Sequence, residues 1–340
     1  MKIQQFEKLA DIPGIDEYSS TLPVFATQEY ANYLKEVKKH STIWFYGIVN
    51  QNTRLMIPFS IRERYIFKIG MVLTATIQLD ENIDLKTEKE FLNSIIEIIK
   101  QKKLCDWIQQ SPNWAIFNSP PNGADSAPFG TYKINLQGKS TEELFNSIQT
   151  KDRSDIRKAI KEGVEVKSGF NLLNEALTLI TATAKKADIS LPSNKELHYL
   201  KENIQVLISY YQTVPQSSAI FYANNYAWYN MYAGTKDRPF RGSNSLLYWS
   251  AIKSAREKSV LFFDLVGAQI NPDPGSKQEK IQRFKEHFGV ELFKGYMWKM
   301  PISKFKYYMY DYLIKTFFLI RRRKFKGDII DRERNRQLIL

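Results

Sequence analysis

At 340 residues the chain exceeds the size at which a single hydrophobic core stops growing, so two domains are expected. Its 43% apolar and 14% aromatic content is that of a globular protein and excludes collagen-like and disordered classes. Forty-nine Lys and Arg against 36 Asp and Glu give a net charge of +13, which favours polyanionic partners such as RNA, sugar nucleotides or an anionic membrane face, and the single cysteine, Cys105, excludes an intrachain disulfide.

The opening stretch MKIQQFEKLADIPGIDEY lacks the apolar run of a signal peptide. No window reaches the ~18 to 20 apolar residues of a membrane span, so a reducing, cytoplasmic location is expected. STIWFYGIVN and TRLMIPFSI are β-type runs joined by a polar turn at Gln51 and Asn52, which makes a hairpin. In TEKEFLNSIIEIIKQKK, Leu92, Ile95, Ile96 and Ile99 recur at helical spacing, with Thr87 and Glu90 set as a capping box. WAIFNSP then reads as a short strand.

The strand TYKINL leads into a helix that Ser140 or Thr141 can cap, then into a basic helix ended by Gly163. On that helix Arg153, Arg157 and Lys161 share one face and Ile156 and Ile160 another; the ridge is either a solvated face or a binding surface. Residues 171 to 211 read as a plain helix-loop-helix. SAIFYA and AWYNMYAG form a second hairpin across Asn224 and Asn225, SLLYWSAIKSAREK is helical with small residues for close packing on a sheet, and VLFFDLVG is a strand. A strand-strand-helix-strand order thus occurs twice, which points to a duplicated α/β domain; two unrelated α+β domains are the alternative. The expected division is 1–145, 146–300 and a basic aromatic tail, 301–340.

Asp264 in VLFFDLVG needs a physical reason, because desolvating a lone carboxylate in a buried strand is costly. Either it points into a substrate cleft, orienting an amine or accepting its proton, or it is paired with a lysine, an arginine or a backbone donor. No covalent nucleophile stands out: Cys105 has no nearby histidine in sequence and no G-x-S-x-G occurs. His40, His198 and His287 lack metal-ligand spacing, so no metal is expected. The tail KFKYYMYDYLIKTFFLIRRRKFKGD mixes aromatic, aliphatic and basic residues and ends in Arg321, Arg322, Arg323, Lys324 and Lys326. That composition suits an anionic membrane surface, and equally a terminal helix packed on the first domain.

The segments SIQTKDRSDIRKAIKEGVEV, LFFDLVGA and IQRFKEHFGVEL occur in that order, together with FATQEYANYL, YNMYAGTKD and SLLYWSAIKSA. In this ordered set the chain resembles the FemAB-like family, the Fem aminoacyltransferases of peptidoglycan interpeptide bridge formation, over most of residues 20 to 300. The resemblance implies an α/β (α+β) fold of two tandem GNAT-like domains, each a mixed, mainly antiparallel sheet flanked by helices. It implies an enzyme with no bound cofactor that moves an amino acid from aminoacyl-tRNA to an amine of a lipid-linked or nucleotide-linked cell-envelope precursor. Asp264 and Lys285 are its implied catalytic residues, and Arg157, Tyr232, Tyr248 and Phe284 its implied substrate-binding residues. Lys285 has cationic neighbours, Lys280 and Arg283, so a solvated role stands beside the catalytic one. Some relatives act in exopolysaccharide or capsule assembly, which leaves an acyl-CoA-dependent N- or O-acyltransferase as an alternative, and a non-catalytic module binding RNA or an anionic membrane as another. GTKDRPFRGSNS misses the Q/R-x-x-G-x-G/A register of a CoA pyrophosphate loop, which counts against CoA. With a lipid-linked acceptor, residues 301–340 would hold the protein at the inner face of the plasma membrane.

Overall fold

The computed structural model describes residues 1–50, 53–80, 82–187, 190–322, 325 and 327–337. The turn expected at Gln51 and Asn52 lies outside the described residues, as do Arg323, Lys324 and Lys326. Two compact units form: residues Met1–Gly130 with Lys294–Leu340, and residues Thr131–Phe293. Unit 1 begins with β1 (Lys2–Phe6), α1 (Gln28–Tyr33), β2 (His40–Asn50), β3 (Thr53–Arg64), β4 (Phe67–Val72), β5 (Ile77–Gln78), α2 (Leu85–Gln101) and β6 (Trp107–Ile108). The boundary falls inside β7 (Asp125–Asn135), earlier than residue 145. Unit 2 adds α3 (Thr141–Ser147), α4 (Thr150–Lys161), β8 (Val164–Ser168), α5 (Leu173–Ala187), α6 (Asn194–Tyr199), β9 (Ile204–Tyr211), β10 (Val214–Ala223), β11 (Ala227–Thr235), α7 (Ser243–Glu257), β12 (Phe262–Asp264), β13 (Ala268–Gln269) and α8 (Lys277–Glu286). After β14 (Glu291–Pro301), α9 (Lys304–Ile320) and α10 (Ile329–Gln337) complete unit 1.

In unit 1 the strands β1, β2, β3 and β4 are antiparallel neighbours. Alternation puts Phe45, Ile57 and Phe59 on one face, against Phe91, Leu92, Ile95, Ile96 and Ile99 of α2. Trp44, Tyr46 and Met56 point the other way, against Leu9, Ile12, Ile15 and Leu22. Both faces of β3 are therefore covered, and each large apolar side chain so buried contributes roughly 1.5–3 kcal/mol. Asp84 caps α2 by accepting the Thr87 N–H at 2.7 Å, so the helix starts earlier than a Thr87 cap would allow. The chain then enters β6, parallel to β4, and β14 lies antiparallel to β6. WAIFNSP supplies only an isolated bridge, Phe117 to Tyr296, in place of the expected strand.

Unit 2 repeats the order. Strands β8 to β11 are antiparallel neighbours, α7 follows, β12 pairs parallel to β11, and β7 pairs antiparallel to β12. Each unit is thus the expected mixed, mainly antiparallel sheet flanked by helices. The expectation of a helix-loop-helix over 171–211 fails at its end: NIQVLISYY forms β9, because its apolar run is covered on both faces and its Val, Ile and Tyr residues suit a central strand. Leu247, Ala251 and Ala255 of α7 are fully buried against Phe221 and Phe263, as their small-residue spacing predicts.

The tail groups with unit 1. Tyr307 and Tyr310 of α9 pack on Phe67 and Trp107, and Ile330 of α10 packs on Ala127, Phe129 and Met297. Among the described residues no helix is long and apolar enough to cross a membrane.

Candidate functional site

Strand register builds the site. Asp264 stands opposite Lys133 of β7 on one side and Tyr229 of β11 on the other. Period two places Thr131, Lys133, Tyr229 and Asp264 on one face, while Tyr132, Ile134, Trp228 and Phe263 face the α7 core. Asp264 is fully buried. Its Oδ1 accepts from Thr131 Oγ1 at 2.5 Å and from the Val266 N–H at 2.8 Å. Its Oδ2 faces Lys133 Nζ at 3.7 Å, an ion pair too long for a hydrogen bond. Burial, with the nearby Tyr226 and Asp264 charges adding to it, holds the Tyr229 phenol well above its ordinary value of 10.0.

Lys285 arrives from α8, whose first turn Ser276 caps by accepting the Glu279 N–H at 3.1 Å. The half-buried ammonium donates to Val266 O at 2.5 Å and to Gly267 O at 2.8 Å. Both carbonyls converge on it because Val266 (φ 33°) and Gly267 (φ 64°) take positive φ values. Glycine tolerates this freely; a β-branched valine there costs about 1–3 kcal/mol and persists only where its surroundings demand it. The Val266 residue therefore joins the two candidates, its N–H held by Asp264 and its C=O by Lys285. Burial pulls the Lys285 ammonium down from 10.5 to about 8, and the Asp264 charge opposes that pull. An ammonium carries three N–H donors, and among the described residues Lys285 has these two carbonyl acceptors.

A second polar group holds α8 to β7. Tyr132 donates to Glu286 Oε1 at 2.5 Å, and Gln282 exchanges hydrogen bonds with the Gln269 backbone at 2.7 and 3.1 Å. Burial first and Glu286 second push the Tyr132 phenol up to about 12. Phe284 stacks edge-on against Tyr248 and Phe288, with centroids 5.4 and 5.2 Å away. Tyr248 is buried, accepts from Asn230 Nδ2 at 2.8 Å, and is pushed up to about 12 by burial. Phe284 and Tyr248 are thus brought together as packing neighbours. Tyr232 sits on β11 beyond Tyr229, the last residue paired with β12, and burial raises it to about 12. Arg157 is exposed on α4, stacked 5.1 Å over Phe145.

The first turn of α7 is already occupied. Gly242 (φ 83°) precedes it, and a Cβ there would lie 2.3 Å from Asp155 O. Arg241 binds Asp155 Oδ1 at 2.9 Å, and Ser245 donates to Asp152 Oδ1 at 2.8 Å. Asp152 Oδ2 in turn pairs with His287 Nδ1 at 2.8 Å. Two carboxylates of α4 therefore lie against this helix N-terminus. Cys105 is buried, and its thiol is pushed up to about 12, far from the thiolate that nucleophilic attack requires. Among the described residues no group of three His, Cys, Asp or Glu is placed to hold a metal.

Thr131 and Lys133 were legible in TYKINL once that strand is paired with Asp264, since alternate positions share a face. No sequence signal joins Tyr132 to Glu286 or Asp152 to His287, which lie more than a hundred residues apart.

Residues 192–315 match the FemAB family, a stretch that contains Tyr232, Tyr248, Asp264, Phe284 and Lys285 but not Arg157. No curated protein matches the chain. Among solved structures, FemX superposes with a TM-score of 0.64 at 12% identity, covering 91% of this chain and 99% of that one. The C-terminal domain of a putative lysylphosphatidylglycerol synthetase from Agrobacterium fabrum gives 0.48 at 14% identity, with coverages of 73% and 81%. A tandem GNAT protein from the clavulanic acid biosynthesis pathway gives 0.45 at 7% identity, with coverages of 88% and 99%. The chain is therefore similar to the FemAB family over residues 192–315 and shares its fold with FemX.

Proposed function

We propose that unit 2 transfers an aminoacyl group from aminoacyl-tRNA to an amine of a peptidoglycan precursor. The observation that carries this reading is Lys285, a half-buried ammonium held by two converging carbonyls. In aminoacyl transfer a neutral amine attacks the ester carbonyl carbon, so that a C–N bond forms and the ester C–O bond breaks. The amine proton ends on the departing ribose hydroxyl. No enzyme nucleophile is required, in keeping with the inert Cys105. The remaining Lys285 N–H donates to the oxyanion that develops on the carbonyl oxygen, where low dielectric strengthens the interaction. Asp264 is fully buried and acts as a positioning residue: it holds the Val266 turn and supports the ammonium charge.

The α7 N-terminus favours this donor over acyl-CoA. A CoA pyrophosphate cradled there would meet Asp152 and Asp155, both committed to protein partners. An ester-linked donor has no need of that cradle. The test is label transfer to a pool of lipid-linked and nucleotide-linked precursors, with labelled aminoacyl-tRNA and labelled acetyl-CoA in parallel. Label from tRNA, lost in Lys285→Ala, is the expected result; label arriving only from acetyl-CoA overturns the donor assignment.

A further inference from the structure

Helix α9 has two apolar faces, and only one is used. Tyr307 and Tyr310 pack on Trp107 with ring centroids 6.1 and 4.7 Å away. The opposite side exposes Phe305 (78%), Tyr308, Tyr312, Leu319 (77%) and Ile320 to solvent. A separate element adds to this surface. The tip of the β3–β4 hairpin carries Tyr65, which is 94% exposed, and Ile66. Lys306 reaches Ile66 O at 3.3 Å and Arg64 reaches the Tyr310 hydroxyl at 3.1 Å, which sets the tip beside the first turns of α9. Two elements of unit 1 therefore present aromatic and aliphatic side chains that, among the described residues, nothing covers.

Charge identifies the partner. Between Lys304 and Arg322 the only acidic residue is Asp311, and Lys315 neutralises it at 2.7 Å. Lys304, Arg321 and Arg322 are exposed, and Arg323, Lys324 and Lys326 follow in the sequence. Arg321 also lies 4.4 Å over the Phe317 ring, which keeps a cation at the edge of the apolar strip. A protein partner would bury the apolar strip; an anionic bilayer takes up the strip in its interfacial zone and neutralises the flanking bases with its headgroups.

We propose that the outer face of α9 and the Tyr65–Ile66 hairpin tip form one docking surface for an anionic phospholipid bilayer. The helix lies in the interface plane, with its 17 residues spanning about 25 Å. This reading is independent of the donor and acceptor of the transfer reaction.

Flotation of the full chain tests it, with phosphatidylcholine vesicles and with vesicles containing about 30% phosphatidylglycerol. Binding to the anionic vesicles alone, weakening as salt rises, is expected. Arg321→Glu with Arg322→Glu should weaken it by more than about tenfold, given roughly fivefold for each basic residue near the surface. Phe305→Ser with Tyr312→Ser, and Tyr65→Ser with Ile66→Ser, should each weaken it by about tenfold, since they remove the inserted area. Tyr65→Trp and Tyr312→Trp should add fluorescence that brominated phospholipid quenches. Failure to float with either vesicle, unchanged binding in all three double variants, or no quenching at either added tryptophan overturns the proposal. So does a dimer in sedimentation that these variants dissociate while vesicle binding stays absent, which would assign the strip to a second copy of the chain.

Discussion

Units 1 and 2 share an order of elements and differ in what stands at the end of the parallel strand. In unit 2, β12 ends on Asp264, a buried carboxylate served by Thr131, Val266 and Lys133. In unit 1, β6 is followed by Gln109, whose amide nitrogen lies 2.8 Å from Met71 Sδ and whose backbone N–H serves Gly70 O. Beside it lies a cavity of about 680 Å³ lined by Trp107, Trp114 and Tyr310, with Lys299 paired to Asp328 and Asp331 at its wall. Duplication of a backbone frame did not duplicate its chemistry. Unit 2 buries a carboxylate on the strand itself, whereas unit 1 uses the same place for aromatic lining and for docking its C-terminal helices.

The comparison breaks first at Lys285. Lys285→Ala removes the proposed oxyanion donor and should lower transfer by about 10²- to 10³-fold with little change in melting temperature, measured by label transfer and thermal unfolding. Wild-type activity in that variant would remove Lys285 from the chemistry. Asp264→Asn should lower transfer less, by about tenfold, and should cost roughly 1–3 kcal/mol in denaturant unfolding, because a buried set of partners loses its charge. Its distinguishing readout is the pH profile: without the Asp264 charge, the alkaline inflection should move below its wild-type position.

That inflection sharpens the comparison. In the proposed role Lys285 acts as a cation, so transfer should fall as pH rises through about 8, and Lys285→Arg should flatten the fall. Stability runs the other way. Between about 8 and 10.5 the unfolded lysine still binds a proton that the folded one has lost, so stability rises with pH across this window. The rise should be about 3 kcal/mol and should vanish in Lys285→Met, read by unfolding at stepped pH. The smallest effect is expected in unit 1: Gln109→Ala should change transfer by less than about threefold, because no ionisable network depends on it. A larger loss would mean that both strand ends serve the reaction.

Much of the frame was legible in short windows. Leu92, Ile95, Ile96 and Ile99 marked α2, the Asn224–Asn225 turn marked the β10–β11 hairpin, and Leu247, Ala251 and Ala255 marked the sheet-facing side of α7. β9 was misread because an apolar run covered on both faces carries no clear period. WAIFNSP failed for a different reason: it runs beside β14, which is long enough to pair with it, but only Phe117 engages that strand, at Tyr296.

For the site, resemblance marked Asp264 and Lys285 as candidates but said nothing of how they meet. The sequence by itself determined the periodic elements, the excess of positive charge and the aromatic, nearly acid-free character of α9, because each depends on residues within a few turns of one another. Only the tertiary structure decided that Thr131 meets Asp264 from 133 positions away, and that a left-handed turn at Val266 ties Asp264 to Lys285. It also decided which face of α9 stays open, since Phe67 and Trp107 cover one face and nothing local in the helix distinguishes it from the other. Strand pairing and burial between distant segments set these features, and such long-range contacts leave no period for a sequence to display.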